Sequence, residues 1–137
     1  MIYVFDSSFI TTLIVSDEKN PLVDALYAKI EDKDERHAPQ LVWYEMANIF
    51  KNLIRRKRYS NDYVLQLFPR LAAFQLIIDY ESGTAYSQKL LQLCFDYDLS
   101  AYDAAYLELA VRKKAVLCTL DDGLRAAAKK HGVAIME

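Results

Sequence analysis

Short runs with strand character recur along this chain with helical patterns between them, and that alternation constrains its fold more than any other feature. "IYVF" (2–5) reads as a buried strand, and a helical stretch follows from Ser8 to Ser16. Asn20–Pro21 places a capping residue and a first-turn proline at the head of a second helix, which runs to about Asp32. A weak strand near "RHAP" (36–39) precedes a long amphipathic helix from about Gln40 to Lys57. Ser60 caps a further helix that Pro69 is expected to kink or end, and "FQLII" (74–78) is strand-like. Helices follow over about 83–97 and 101–113, the second capped by Ser100. "AVLCT" (115–119) leads into a helix closed by Gly132, with Lys129 and Lys130 in its last turn, and "VAI" (133–135) is a final short strand. Strands separated by helices imply right-handed crossovers and a parallel sheet covered on both faces. The expected fold is α/β, one domain over residues 1–137, with a central parallel sheet of four to five strands and helices on both faces.

Composition agrees. A chain of 137 residues with 53% hydrophobic and 26% charged residues is globular, and at this length it buries about two-thirds of its unfolded surface. The longest uncharged run, Ser7 to Ser16, falls well short of the roughly 18 residues of a membrane span. Asp6 interrupts the only apolar stretch near the N-terminus, so no signal peptide is read and a cytoplasmic setting is expected. A net charge of −2 excludes a polycation, so any nucleic acid must be met through a local patch or a metal ion. Cys94 and Cys118 form no metal-binding pattern, and both read as buried thiols.

One residue in the helical segment "YDAAYLELA" (102–110) breaks its pattern. Asp103 shares a face with Tyr106, Leu107 and Ala110, the face a helix turns toward the core, where a carboxylate is costly unless something meets it. Glu45 interrupts an inward stripe in the same way, among Val42, Met46, Ile49 and Leu53. Asp6 follows the first strand and Asp121 stands just beyond the strand ending at Thr119, so both emerge at the carboxyl edge of the sheet, where open parallel sheets carry their sites. Taken singly, each acid has a structural role available: Asp6 and Asp121 as helix caps, Asp103 as a first-turn acid favoured by the helix dipole. Taken together, four carboxylates repel one another unless a cation joins them. Magnesium and manganese, hard ions that take oxygen ligands and keep several waters, suit such a set. Ser8, Asn48 and Thr119 lie close to these acids in sequence and are placed to orient them or to hold metal-bound water.

In these segments the chain resembles the PIN-domain family, and within it the small VapC-type toxins of toxin–antitoxin pairs. "YVFDSSFI" is similar to the family's opening strand and acid, with Asp6 and Ser8 at the matching positions. "WYEMANIF" fits its glutamate and asparagine at Glu45 and Asn48, and "LSAYDAAYLELA" its aspartate at Asp103. "CTLDDGLRAAA" fits a closing T-x-D-x-x-L pattern through Thr119, Asp121 and Leu124; Asp122 is a neighbouring acid, and the pattern favours Asp121. The resemblance spans nearly the whole chain. It implies an Mg²⁺- or Mn²⁺-dependent endoribonuclease that is the toxin of such a pair, with RNA as substrate, a cognate antitoxin as partner and a homodimer as assembly. A PIN nuclease serving RNA maturation is the alternative within the family.

The three glycines, Gly83, Gly123 and Gly132, form no phosphate-binding loop. His37 and His131 lie outside every acidic motif. The basic run formed by Lys51, Arg55, Arg56, Lys57 and Arg58 reads either as a solvated helix end or as a contact for RNA or antitoxin. Nearby, Trp43, Tyr44, Phe50, Tyr59 and Tyr63 read as core, as dimer interface or as the wall of an antitoxin groove. A signalling receiver domain, similar in size and class, would use Asp79 as phosphoacceptor; such a site needs a lysine after the last strand, which "VAIME" does not offer, and it leaves Glu45 and Asp103 without a role.

Overall fold

The computed structural model describes residues 1–137. Four parallel strands form one sheet: β1 (Ile2–Phe5), β2 (Glu35–Pro39), β3 (Ile77–Asp79) and β4 (Val116–Cys118), in the spatial order β3-β2-β1-β4. Between them run α1 (Ser7–Ile14) and α2 (Pro21–Tyr27); then α3 (Val42–Arg55), α4 (Asn61–Leu65) and α5 (Leu67–Ala72); then α6 (Thr84–Tyr97) and α7 (Ala101–Lys113). The last helix, α8 (Asp122–His131), follows β4. None of the helices is long and apolar enough to cross a membrane.

Side chains on successive strand residues face opposite ways, so β1 feeds two cores. Tyr3 and Phe5 join Phe9, Ile10, Met46, Phe50 and Leu67 on the face covered by α1 to α5. Val4 and Leu117 join Tyr106, Leu107, Leu109 and Leu124 on the face covered by α7 and α8. The buried alanines Ala104, Ala105 and Ala110 let α7 approach the sheet closely. Helix starts fall where their caps predict: Asn20 accepts from Leu22 N at 2.9 Å, Ser60 from Tyr63 N at 3.2 Å and Ser100 from Asp103 N at 3.2 Å. Gly132, at φ 83°, closes α8 in the left-handed region.

Several expected boundaries move, each for a local reason. α1 ends at Ile14 because Val15 is extended, and Ser16–Glu18 form a 3₁₀ turn. α2 stops at Tyr27, and the Asp34 carboxylate fastens the following turn by accepting from Glu31 N at 2.9 Å. α3 starts at Val42, since Gln40 N bonds the Asp79 carbonyl, and it ends before Lys57, whose φ is 54°. Pro69 lies within α5; the break falls upstream at Gln66, between α4 and α5, because a proline ring clashes with the carbonyl four residues before it, here that of Leu65. The strand expected over 74–78 is displaced to 77–79: Phe74 and Gln75 close α5 by bonds to Leu71 and Ala72, and Gln75 takes φ 53°. "VAI" contributes a single parallel bridge, Leu117 to Ile135. Cys118 is buried, whereas Cys94 is only half-buried, since α6 lies on the surface with none of its residues fully enclosed.

Candidate functional site: four acids at the switch point of the sheet

From β1 the chain proceeds outward to β2 and β3, then returns to place β4 on the other side of β1. The crevice at the carboxyl ends of β1 and β4 is therefore the topological switch point, where open parallel sheets bind ligands. Asp6 stands directly beyond β1, its N–H extending the ladder to the Cys118 carbonyl at 3.1 Å. Its side chain, 4% exposed, caps α1: Oδ1 accepts from Phe9 N at 2.9 Å and from Ser8 Oγ at 2.6 Å, and Oδ2 accepts from Thr119 Oγ1. Ser8 Oγ accepts from Leu120 N at 3.0 Å, and Thr119 Oγ1 accepts from Asp121 N at 3.0 Å. Two hydroxyls thus stitch the β1 and β4 loops together around Asp6. Asp121 caps α8 through Leu124 N at 2.7 Å, while its neighbour Asp122 is the first residue of that helix. Capping and membership of the acidic centre coincide in Asp6 and Asp121.

Glu45 enters from the first turn of α3 and Asp103 from the first turn of α7. Glu45 Oε1 accepts from the hydroxyl of Tyr106 at 2.5 Å. Burial raises the Asp6 carboxyl above the ordinary value, opposed by its hydroxyl and amide donors, with Asp103 adding to the rise. Burial likewise raises Glu45, with Asp6 and Asp103 adding, and burial followed by the Asp121 charge raises Asp103. Asp6, Glu45 and Asp103 therefore each feel at least one other acid of the set. None of the chain's ion pairs reaches the four; Arg125 donates to the Thr119 carbonyl at 3.3 Å and pairs with Glu137. No three histidine, cysteine or acidic side chains stand close enough to enclose an ion by themselves. An all-oxygen donor set, mutually repelling and without a cation of its own, fits a hard divalent ion held by few carboxylates and completed by water.

The other sequence candidates divide. Asn48, one helical turn beyond Glu45, is exposed beside it in a cavity. Arg58 is taken by Asp17 at 3.4 Å and Glu18 at 3.1 Å, whereas Lys51, Arg55, Arg56 and Lys57 are exposed and make no ion pair. Tyr59 and Tyr63 stack at 4.5 Å and bind Ser16 through their hydroxyls, so they pin the 3₁₀ turn that follows α1. Phe50 is core, and Trp43 and Tyr44 are exposed. Asp79 is clamped by Arg112 at 2.9 and 2.7 Å, which leaves it no freedom as a phosphoacceptor. His37 is buried in β2 against Glu35 at 2.6 Å, and His131 bonds the Tyr97 hydroxyl at 2.7 Å. Tyr106 lies on the core face, as its spacing implies, and its role on Glu45 is one that spacing alone does not assign; the signal for it is a phenol on an apolar face, whose hydroxyl needs a partner when buried.

Comparison with known proteins identifies the fold that carries these residues. The 27% identity to Ribonuclease VapC3 of Pyrobaculum aerophilum extends over 118 residues, 86% of this chain and 88% of that protein. A crystal structure of a P. aerophilum protein superposes with a TM-score of 0.72 at 24% identity, covering 98% of this chain and 83% of that one. VapC20 of Mycobacterium tuberculosis, a toxin described as cleaving the sarcin–ricin loop, superposes with a TM-score of 0.64 at 15% identity, covering 93% and 95%. VapBC2 of Rickettsia felis, solved with a promoter DNA fragment, gives 0.66 at 14% identity, covering 100% and 98%. These likenesses show a shared fold. The sequence model of the PIN domain matches residues 3–130, and the chain belongs to the PIN-domain family.

Proposed function

We propose that this chain is a metal-dependent endoribonuclease, the toxin of a toxin–antitoxin pair, which hydrolyses RNA phosphodiester bonds at its acidic centre. The observation that carries the reading is the placement of four mutually repelling carboxylates, without a cation of the protein's own, at the switch point of the sheet. The similarity to a ribonuclease of the VapC type supports the chemistry.

Asp6, Glu45, Asp103 and Asp121 would hold Mg²⁺ or Mn²⁺. When bound, such an ion supplies Lewis acidity at the phosphate and a lowered pKa for water. The chain's own residues do the rest. Ser8 and Thr119 fix the Asp6 carboxylate, and Tyr106 fixes that of Glu45. Asp103 or Asp121 accepts the proton of the attacking water. Both histidines are engaged elsewhere, so the site offers no imidazole to activate the RNA 2′-hydroxyl. Water as nucleophile leaves 5′-phosphate and 3′-hydroxyl ends.

The antitoxin reading of the basic run is favoured over substrate contact. Ten residues separate Glu45 from Arg55, which on a helix is about 15 Å. Lys51 instead borders an apolar groove of Phe50, Ile54, Leu65 and Phe68, suited to an amphipathic segment with acidic flanks. The toxin would act in the cytoplasm, as a homodimer when free or bound. The test is a defined RNA incubated with Mg²⁺ or Mn²⁺ and with EDTA, its fragments analysed by mass spectrometry. Metal-dependent cleavage with 5′-phosphate ends is expected; cyclic phosphate ends, or full activity in EDTA, refute the mechanism.

A further inference from the structure

Two of the four acids are each preceded by a tyrosine: Tyr44 before Glu45, and Tyr102 before Asp103. Consecutive helix residues point about 100° apart, so a turn that sends the acid inward delivers the phenol to the rim. Both tyrosines stand in the first turns of their helices, α3 and α7, at the edge of the acidic centre. Tyr44 is 69% and Tyr102 65% exposed, whereas Tyr3 and Tyr106 are buried. The two rings, with Leu41, Glu45 and Asn48, line a cavity of about 430 Å³.

The lining decides what the cavity takes. It contains no cationic side chain, and its one charge is a carboxylate, so it repels a phosphate. With Glu45 engaged on the acidic centre, what remains is two phenol rings, the aliphatic Leu41 side chain and the Asn48 amide, which both donates and accepts. That combination matches an unstacked nucleobase, which single-strand-specific proteins hold by aromatic stacking and read along its edge. Glu45 belongs to both the cavity and the centre, so a base held there lies beside the reacting phosphodiester.

We propose that this cavity is a nucleobase subsite, in which Tyr44 and Tyr102 receive one base of a single-stranded RNA and Asn48 reads its edge. The inference rests on the nuclease reading and deepens it: the substrate is RNA with at least one base splayed out next to the cut.

The test uses fluorescein-labelled single-stranded oligoribonucleotides of one sequence, intact or abasic at successive positions. Anisotropy is read on the full chain carrying Asp103→Asn, and cleavage kinetics with Mg²⁺ on the chain with Asp103 intact. Tyr44→Ala and Tyr102→Ala should each weaken binding of the intact RNA about tenfold and raise KM, with little change at Tyr44→Phe and Tyr102→Phe. Phe95→Ala, an exposed aromatic on α6, should change nothing. At one abasic position the double alanine variant and its parent should bind alike, because the lost base and the lost rings are the same interaction. Unaltered binding and KM in both alanine variants, with cleavage intact, overturns the subsite and leaves the nuclease standing. The same follows if the alanine variants lose only inhibition by an antitoxin, which would assign the rings to a protein partner. A wild-type chain that neither binds nor cuts RNA overturns the nuclease reading and the subsite with it.

Discussion

At the scale of single residues, the site consists of side chains with two employments. Asp6 ends a strand, caps a helix and belongs to the acidic centre, so its replacement tests function and fold together. Asp6→Asn keeps the capping oxygen, and Glu45→Gln and Asp103→Asn keep shape; all three should abolish RNA cleavage while far-ultraviolet circular dichroism stays native. Asp17→Asn, which touches only Arg58 and Tyr59 at the surface, should cleave at the wild-type rate. Tyr106→Phe removes a hydroxyl from a ring that is 1% exposed and takes from Glu45 the donor that meets it at 2.5 Å. Losing a hydrogen bond to a carboxylate in that setting costs about 1.5–3 kcal/mol, to be read as a lower urea midpoint at unchanged m-value.

At the scale of elements, the edge strand β3 is tied to α7 by one polar cluster. Arg112 forks onto Asp79 and onto Glu108, a buried carboxylate one helical turn earlier, at 2.8 and 2.9 Å. Arg112→Met should destabilise the protein by about 2–4 kcal/mol at pH 7, because it strands an acid out of water. The hydrogen bonds from Arg112 hold the Asp79 carboxyl below its ordinary value. A depressed folded-state pKa gives stability that is present above the unfolded value and is lost as pH falls through the folded one. The wild-type advantage over Arg112→Met should therefore shrink below about pH 4, as urea titrations at pH 7 and pH 3 would show. How legible elements were in the sequence depended on where their signals lay. Caps and periodicity are local, so α2, α4 and α7 began where Asn20, Ser60 and Ser100 placed them. The start of β3 was not local: an apolar run does not reveal that Phe74 and Gln75 are spent closing a helix, or that pairing of Ile77 with His37 sets the register. The inward acids stand out by breaking a stripe, whereas Tyr44 and Tyr102, 58 residues apart on two helices, become visible only where they meet around one cavity.

At the scale of the whole molecule, the sheet order brings one end of β1, β4, α3 and α7 to a single edge, and with them four negative charges. An ion that binds only this folded arrangement stabilises it by mass action, about 2.7 kcal/mol at a hundredfold excess over Kd. Saturating Mg²⁺ or Mn²⁺ should accordingly raise the thermal midpoint by several degrees, EDTA should reverse the rise, and Asp103→Asn should blunt it. The opposite flank of the same sheet carries a different exposure. Beyond β4 the only cover is the stretch around Ile135, held by Leu117 N to the Ala134 carbonyl at 2.8 Å and by Met136 N to the Leu117 carbonyl at 2.9 Å. Those few residues act as a guard on an open strand edge, occupying donors and acceptors that would otherwise template pairing with another chain. Removing residues 133–137 should leave the four acidic side chains in place yet make the protein self-associate, seen as concentration-dependent light scattering, because an uncovered β4 will recruit the β4 of a neighbour.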